Sequence, residues 1–494
     1  MQRPAPVRSP FTIPLVVIVL FIAACVPMAT PPAPQAPTAV IGTPPSRITH
    51  PTSIVDMTTR TAGITPTVAT WQYISGAETF NSKLDTRLLS IFDARAGGRH
   101  QPAALPATPA ALLADGVSVT HEIVLATGSL VGSRFVQTIM DGGVRIARSD
   151  EITYEDLSTG VVTGSASLIK PAMTGTLRTM LGDTMGPASS TQTPGPDPTR
   201  APTTDSVSDA ELLTAVAFTS AGDLSVTIHR DPVTGAALSG PVTVTLNAAA
   251  TDEVISPAGQ TLRTAVITGA PLKAPQPAPG GLAPVNCDLV PCAALTYDDG
   301  PNAQTTRLLA ILEKHKVFAT FFQQGGYVRA HPGVAKAVAA AGHTIANHTM
   351  SHPYLTKLSP ASIASEVQGA QGTIEMATGV VPAYMRPPYG ATNKTVAASV
   401  GLPQIIWDVD SMDWQSKNKS VFIPRIMSLV KPGSIILQHD VHASTVDGQG
   451  ELIAQLKGKG FYLVTLPQLL AGIELKPGAS YKCRGSASGC VAGR

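Results

Sequence analysis

The sequence lacks the features of a nucleic-acid-binding or membrane-spanning protein. Charged residues make up 14% of its 494 residues, and the net charge of +2 arises without a cluster of Lys and Arg. A nucleic acid or an anionic membrane surface is therefore not indicated as a partner. An apolar run at 12–25, TIPLVVIVLFIAAC, is too short and too interrupted by proline for a comfortable transmembrane helix. The hydrophobic fraction of 44% is ordinary for a chain that buries a core, and the length allows two or three domains.

The start of the chain has the pattern of an export signal. Arg3 and Arg8 precede the apolar run, which has the length of the hydrophobic part of a signal peptide. The last four residues of that run, IAAC, resemble a bacterial lipobox, and this implies that Cys25 is lipidated after cleavage. We therefore expect residues 1–25 to be a signal peptide and the protein to be a lipoprotein on the outer face of the cell membrane. The alternative is an ordinary secretory signal and a secreted protein.

Cysteine is scarce, and its five positions are informative. Apart from Cys25, the chain has two closely spaced pairs, Cys287 with Cys292 and Cys483 with Cys490. An even number of cysteines in an exported chain predicts disulfides, and proximity favours the two local pairings among the three that are possible. A cysteine-only metal site is the weaker alternative, because neither pair has the CxxC spacing of a zinc site.

Composition divides the chain into segments. Residues 26–52 are rich in Pro, Ala and Thr, which predicts a disordered tether, and a similar stretch at 271–285 predicts a linker. Residues 53–270 alternate in the manner of strands and predict a β-rich α+β domain with a helix or two. A Pro/Thr/Ser-rich stretch at 186–206 is either an inserted loop, which we favour, or a linker between two small domains. Short stretches of this region, such as YEDLSTG, faintly resemble an RsiV-like domain.

Residues 286–475 change to alternating strand-like and helix-like segments. Repeated βα units imply a parallel sheet or barrel wrapped by helices, in which polar residues at the carboxyl ends of the strands perform the chemistry. Residues 476–494 are expected to form a C-terminal tail with a local disulfide.

Two polar groups at such strand ends predict a metal site. The segment TYDDGP places Asp298 and Asp299 side by side after an apolar run, and HTMSH places His348 and His352 four residues apart. Histidines at i and i+4 lie on one face of a helical turn and can chelate one cation. Together with Asp299 they suit a zinc-like ion and leave coordination positions open for water and substrate.

Three more segments complete a pattern. RPPYG begins at Arg386, DSMDW includes Asp413 and Trp414, and LQHD includes Leu437 and His439. In this order and strand context, the five segments resemble those of the NodB-homology polysaccharide deacetylases, carbohydrate esterase family 4. The resemblance covers about 286–475. It implies a deformed (β/α) barrel and metal-dependent removal of acetyl groups from a glycan.

The resemblance also implies a role for each residue. A divalent cation, expected to be Zn²⁺ with Co²⁺ or Mn²⁺ as alternatives, lowers the pKa of a water molecule, and an unligated carboxylate takes the proton. The implied roles are general base for Asp298, orientation of that base for Arg386, backbone oxyanion donor for Tyr389, general acid for His439, support of that acid for Asp413, and an acetyl pocket for Leu437 and Trp414. The sequence departs from the family at Tyr297, where Phe is usual, and at Gln438, where an apolar residue is commoner.

The expected function is deacetylation of N-acetylated peptidoglycan sugars, GlcNAc or MurNAc, because a tethered lipoprotein would meet the cell wall. A chitooligosaccharide deacetylase and an acetylxylan esterase would use the same residues and remain alternatives. A further alternative is a catalytically inactive surface lipoprotein that binds glycan or lysozyme, which the presence of all the metal ligands and of Asp298 disfavours.

Overall fold

The computed structural model of the protein describes residues 36–42, 53–62, 65–105, 115–186, 207–274, 283–485 and 490. The predicted signal peptide, its lipidation residue Cys25 and most of the predicted tether lie outside these residues. Within the described ranges, no helix has the length and apolar character needed to cross a membrane.

The amino-terminal region contains two mainly antiparallel sheets with helices between and beside them. Its strands are β1 Ala39–Gly42, β2 Ile54–Arg60, β3 Thr67–Ile74, β4 Gly116–Thr127, β5 Leu130–Asp141, β6 Val144–Asp156, β7 Val161–Gly164, β8 Val216–Phe218, β9 Leu224–Arg230 and β10 Ala237–Leu246. Its helices are α1 Glu78–Ala96, α2 Thr174–Met185, α3 Asp209–Leu212, α4 Ala248–Val254 and α5 Pro257–Thr268, with 3₁₀ turns at Ser165–Leu168 and Pro171–Met173.

The larger sheet has the order β2-β3-β4-β5-β6-β7, and the smaller has the order β1-β10-β9-β8. The tight β5–β6 hairpin turns at Gly142 and Gly143, whose φ values are 56° and 78°. Glycine adopts such positive φ values without steric strain because it has no Cβ. Segments on both sides of the stretch at 187–206 contribute to one apolar core, which includes Leu177, Leu181 and Leu224.

Two expectations for this region were wrong. Strand β1 lies inside the segment expected to be a disordered tether, and it pairs with β10 from Ala39 opposite Leu246 to Gly42 opposite Thr243. The region also contains five helices where one or two were expected. The longest, α1, ends at Gly97, whose φ of 65° and backbone N–H bond to the last turn are those of a left-handed cap.

The carboxyl-terminal region is mixed α/β with a parallel sheet. Its strands are β11 Cys292–Asp298, β12 Thr320–Gln323, β13 Thr344–Asn347, β14 Gln404–Ile405, β15 Val409–Asp410, β16 Ser434–His439, β17 Tyr462–Val464 and β18 Ser480–Tyr481. Its helices are α6 Ala303–Lys314, α7 Gly325–Ala330, α8 Pro332–Ala340, α9 Pro360–Thr378, α10 Lys394–Ser399, α11 Asp413–Ser416, α12 Lys419–Leu429, α13 Ala443–Gly458 and α14 Leu466–Leu469, with 3₁₀ turns at Leu355–Lys357 and Pro388–Gly390.

The parallel sheet has the order β13-β12-β11-β16-β15, and β17 pairs with the start of β11. Beyond β13 the pairing continues through bridges from Asn347 to Met385 and from Met385 to Gln404. Met385 therefore takes part in the sheet only through isolated bridges. The register sets Asp298 opposite His439, so that these two residues end neighbouring strands.

Residues 476–485 of the expected C-terminal tail pack onto this region. Strand β18 pairs with β14, and the backbone of Cys483 forms an isolated antiparallel β-bridge with Ser434. Arg484 donates to Asp288 at 2.9 Å, which ties the end of the described chain to the segment before β11. The Cys287–Cys292 and Cys483–Cys490 disulfides are both present.

The two regions share one apolar core. It includes Trp71 and Phe92 of the amino-terminal region together with Leu289, Ala294 and Phe322 of the carboxyl-terminal region. Hydrogen bonds cross the same boundary: the Tyr462 hydroxyl donates to the Thr58 carbonyl at 2.8 Å, and the Thr59 hydroxyl donates to the Leu289 carbonyl at 3.1 Å. Both hydrogen bonds lie near the beginnings of β11 and β17. They therefore lie at the end of the parallel sheet away from Asp298 and His439.

Candidate active site

The two adjacent aspartates at the end of β11 have different environments. Asp298 is the last residue of the strand and is 3% exposed, whereas Asp299 is the first residue of the loop and has a φ of 73°. The left-handed backbone at Asp299 turns the chain sharply, and such strain in a residue other than glycine is typical of functional sites. The pair can therefore interact with different partners.

Asp299 lies between two histidines. Its Oδ1 atom is 3.4 Å from His348 Nε2 and 3.3 Å from His352 Nε2, and the three ligand atoms lie within 4.8 Å of one another. This Oδ1 atom is buried and has no hydrogen-bond partner among the described residues. A buried carboxylate oxygen without a partner is costly unless a cation neutralises it, so the group fits a metal ion.

The protonation states also suit a metal ion. His348 Nδ1 lies 2.8 Å from the Arg386 carbonyl, so Nδ1 carries a proton and Nε2 faces Asp299, where the neutral ring can offer its lone pair to a cation. Burial opposes ionisation of Asp299, but the positively charged forms of the surrounding histidines, His348 first, outweigh burial and hold the pKa of this carboxyl below its usual value. Asp299 is therefore ionised.

The expectation that His348 and His352 share a helical turn was wrong. Both lie in the loop after β13, in which Thr349 and His352 have φ values of 65° and 63°. Two anchors hold this loop. The Asn347 side chain accepts the Thr349 N–H at 2.8 Å, and the Glu366 carboxylate of α9 accepts the N–H groups of the next two residues at 3.0 and 2.8 Å. Sequence analysis missed Glu366, because no short segment links it to the histidines.

Arg386 is fully buried and reaches Asp298. Its NH1 donates to Asp298 Oδ1 at 2.6 Å, while Nε and NH2 donate to the carbonyls of Ile405 and Ile406 at 2.9 and 3.0 Å. The guanidinium also lies 4.0 Å from the centre of the Phe322 ring. The arginine is thus fixed on three sides, and it fixes one oxygen of Asp298.

His439, at the end of β16, is held by Asp413. His439 Nδ1 is 2.8 Å from Asp413 Oδ1, and the His439 backbone N–H donates to Asp413 Oδ2 at 2.8 Å. Burial lowers the pKa of His439, but the hydrogen bond and charge of Asp413 outweigh it and raise the pKa to about 9. His439 is therefore an imidazolium at neutral pH.

A buried polar network that sequence analysis missed supports Asp413. The Thr445 hydroxyl donates to Asp413 Oδ2 at 2.7 Å, and the Gln449 side chain donates to the Thr445 carbonyl at 2.9 Å. Gln449 also donates to Gln438 at 2.7 Å and accepts from the Tyr297 hydroxyl at 2.7 Å. Tyr297 and Gln438, the two departures from the family pattern, therefore both bond to Gln449. Through Thr445, Gln449 is connected to Asp413, which holds His439.

The remaining predicted residues lie around the same strand ends. Tyr389 has a φ of 62° and is 53% exposed, and its ring contacts the His352 ring edge to face at 4.6 Å between centres. Leu437 is buried at the end of β16, whereas Trp414 is 45% exposed beside Asp413. The structure thus brings together all the residues predicted for the metal, the base, the acid and their supports.

Known proteins resemble the part of the chain that carries these groups. The polysaccharide deacetylase family model matches residues 286–405. A peptidoglycan N-acetylglucosamine deacetylase of Listeria monocytogenes is 38% identical over 189 residues, 38% of this chain and 40% of that protein. A peptidoglycan N-acetylmuramic acid deacetylase of Bacillus subtilis is 38% identical over 36% of this chain and 38% of its own length.

A chitooligosaccharide deacetylase of a Bradyrhizobium strain is 36% identical over 194 residues, which are 35% of this chain and 89% of that protein. This chain therefore matches nearly the whole length of one relative and about two fifths of the other two. The relatives carry names of enzymes that hydrolyse bonds to acetyl groups on sugars. With the arrangement of Asp298, Asp299, His348, His352 and His439 described above, these matches show that the chain belongs to the polysaccharide deacetylase family.

Proposed function

We propose that this protein is a metal-dependent deacetylase that removes acetyl groups from N-acetylated cell-wall glycan. The observation that carries the proposal is the position of one carboxylate, Asp298, beside a separate group of metal ligands, Asp299, His348 and His352. Two neighbouring acids with separate partners can perform separate tasks. Family membership supports the same chemistry.

Asp299, His348 and His352 would hold the metal. A divalent cation supplies a Lewis acid that polarises the acetyl carbonyl and makes water easier to deprotonate. Two imidazoles and one carboxylate suit Zn²⁺, which is the ion we propose, with Co²⁺ or Mn²⁺ as alternatives.

Asp298 is the proposed general base. Arg386 occupies its Oδ1 atom, whereas Oδ2 lies 3.7 Å from His348 Nε2 and so faces the ligand group. The free oxygen is positioned to accept a proton from an attacking water molecule. The 2.6 Å ion pair with Arg386 fixes the orientation of the carboxylate.

His439 is the proposed general acid. The register places it on the strand next to Asp298, so the acid and the base lie on neighbouring strand ends. Asp413 holds the Nδ1 proton, which leaves the Nε2 proton of the imidazolium available to the departing amine. With a pKa of about 9, His439 carries that proton at neutral pH.

Two further groups complete the proposed site. Tyr389, whose left-handed backbone has a φ of 62°, is the proposed backbone N–H donor to the oxyanion. Leu437 and the partly exposed Trp414 provide apolar surface for the acetyl methyl group.

We also infer that the sheet of the carboxyl-terminal region is a deformed (β/α) barrel. The series of pairings runs from β15 through β16, β11, β12 and β13 to Met385 and then to β14. Strand β14 ends four residues before β15 begins, so the series returns to the segment in which it started. This path supports a closed arrangement with the strand ends gathered at one opening.

The substrate is the least constrained part of the proposal. Relatives named for GlcNAc and MurNAc of peptidoglycan support a cell-wall substrate, and a predicted export signal with lipidation at Cys25 would place the protein beside the wall. A chitooligosaccharide is the second candidate, because the relative matched over 89% of its length carries that name.

Acetate release tests the function. The full-length protein is stripped with a chelator, reloaded with Zn²⁺ and given peptidoglycan, N-acetylated chitooligosaccharide and acetylxylan in parallel. We expect metal-dependent acetate release from peptidoglycan, and a loss of at least about a hundredfold in Asp298→Asn. Asp141→Asn, which changes an exposed carboxylate at the end of β5, is the matched control and should retain full activity.

Each contrary result has a meaning. Equal acetate from Asp298→Asn would remove the base assignment. Acetate release from acetylxylan alone or chitooligosaccharide alone would make that glycan the substrate in place of peptidoglycan. Metal binding without acetate release from any of the three would favour the inactive glycan- or lysozyme-binding protein.

A further inference from the structure

Exposed aromatic side chains are concentrated around the candidate site. Among the described residues, those with the greatest exposure are Tyr327, Tyr354, Tyr389 and Trp414, each between 43% and 53% exposed. Each follows the carboxyl end of β12, β13 or β15, or the bridge residue Met385. They therefore share the edge of the sheet that carries Asp298 and His439. Aromatic surface left open around a site indicates binding, and the apolar C–H faces of sugar rings pack well against it.

One of these residues holds a cation in a defined place. The Tyr354 ring stacks on Tyr389 at 3.9 Å between centres and an angle of 10°, and Lys357 Nζ lies over the Tyr354 ring at 4.7 Å. Cation–π attraction localises an ammonium group that would otherwise move freely. Tyr389 in turn contacts His352. Three consecutive contacts thus connect Lys357 to a proposed metal ligand.

No acidic side chain in the described part of the chain lies within ion-pair distance of Lys357. The side chain is exposed, and within the described ranges it takes part in no ion pair. Three other lysines in the described part of the chain do form such pairs, Lys83 with Glu155, Lys419 with Glu451 and Lys431 with Asp408. A localised and unpaired cation beside the site is suited to a negative charge on the substrate.

We propose that Tyr354 and Lys357 form a subsite for the sugar next to the one that loses its acetyl group, and that this subsite favours a sugar bearing a carboxylate. The inference rests on the proposed deacetylase function. It narrows the substrate to glycans with acidic units, such as the lactyl ether of N-acetylmuramic acid. Lys357 attracts the carboxylate, while Tyr354 fixes the lysine and contacts the sugar with its exposed edge.

The test compares two substrates of equal length. One is a glycan strand of alternating GlcNAc and MurNAc, freed of its stem peptides so that each lactyl carboxylate is exposed, and the other is a neutral N-acetylated chitooligosaccharide. Lys357→Met should lower kcat/KM for the acidic strand about three- to fivefold, as expected for an exposed ion pair. The loss should lie in KM, because the pair is remote from the reacting atoms. The neutral substrate should be unaffected.

Controls separate charge from structure. Lys314→Met changes an exposed lysine at the far end of α6 and should leave both substrates unchanged. In about 1 M salt, where screening acts within about 3 Å, the difference between wild type and Lys357→Met should disappear. Tyr354→Ala should lose the preference for the acidic strand, whereas Tyr354→Phe, which keeps the stack, should retain it.

Three results would overturn the subsite. These are equal losses on both substrates in Lys357→Met, no loss on either, and a wild-type preference for the neutral substrate. If the wild-type protein releases acetate from neither substrate, the proposed function fails, and the subsite fails with it.

Discussion

The contact between Asp413 and His439 predicts how activity depends on pH. His439 has a pKa of about 9 in place of the ordinary 6.5, a difference that corresponds to about 3 kcal/mol of preference for the imidazolium. Burial alone lowers this pKa, and the neighbouring carboxylates raise it, Asp413 most and then Asp298 and Asp299. In Asp413→Asn we expect the pKa of His439 to fall to about 6.5 or below.

The sign of the effect follows from the role of His439 as a proton donor. In the wild-type protein kcat/KM should fall as the pH rises through about 9, where the imidazolium deprotonates. In Asp413→Asn this alkaline limb should move to about pH 6.5 or lower, so that at about pH 7.5 no more than about a tenth of the molecules carry the proton. The folded state also binds this proton more tightly than the unfolded state. The stability it contributes is complete below pH 6.5 and is lost as the pH rises through about 9.

The assay is the pH profile of kcat/KM for acetate release by the metal-saturated protein. Asp408→Asn is the matched control, because Asp408 also holds β16, through the Ser434 hydroxyl at 2.9 Å and the Ile435 N–H at 2.8 Å, without a bond to His439. That control should keep the alkaline limb in place. If Asp413→Asn lowered the rate by the same factor at every pH, Asp413 would be a structural support only, and the reasoning would be refuted.

Three further predictions concern other parts of the site. His348→Ala should weaken Zn²⁺ binding by more than about a hundredfold, measured by competition with a chromogenic chelator; unchanged affinity would exclude the proposed ligand set. Arg386→Met should leave Asp298 buried without its partner and lower the free energy of unfolding, measured in urea, by about 3–5 kcal/mol. Adding Asp298→Asn should recover much of this loss, because it removes the unpaired charge. Gln449→Leu should lower the free energy of unfolding by about 1–3 kcal/mol for each partner left without a hydrogen bond. Adding Tyr297→Phe and Gln438→Leu should bring the stability close to that of the wild-type protein. A triple variant less stable than Gln449→Leu would argue against a self-contained network.

The strand ends of the catalytic region could be predicted because their signals are local. A short apolar run followed by Asp298 or His439 specifies a buried strand and the polar residue that ends it. The order of five such segments then indicated the fold and the candidate chemistry. The actual partners, such as Arg386 for Asp298, were expected only by resemblance.

What could not be predicted depends on contacts between distant residues. Spacing of four residues between His348 and His352 is equally compatible with a helix, and the anchoring of their loop by Glu366 cannot be read from the spacing. Strand β1 is visible only through its pairing with β10, some two hundred residues later. Gln449 joins Tyr297 across a separation of 152 residues, which no local pattern indicates.

The core shared by Trp71, Phe92, Leu289 and Phe322 packs the amino-terminal sheet against the strands that carry the candidate site. Cutting the chain before residue 286 would therefore remove the cover from apolar side chains of the carboxyl-terminal region, such as Leu289 and Phe322. A substitution that loosens β2 or β3 is expected to weaken the packing at the start of β11, the strand that ends at Asp298, so the amino-terminal region is coupled to the candidate site without contributing a residue to it.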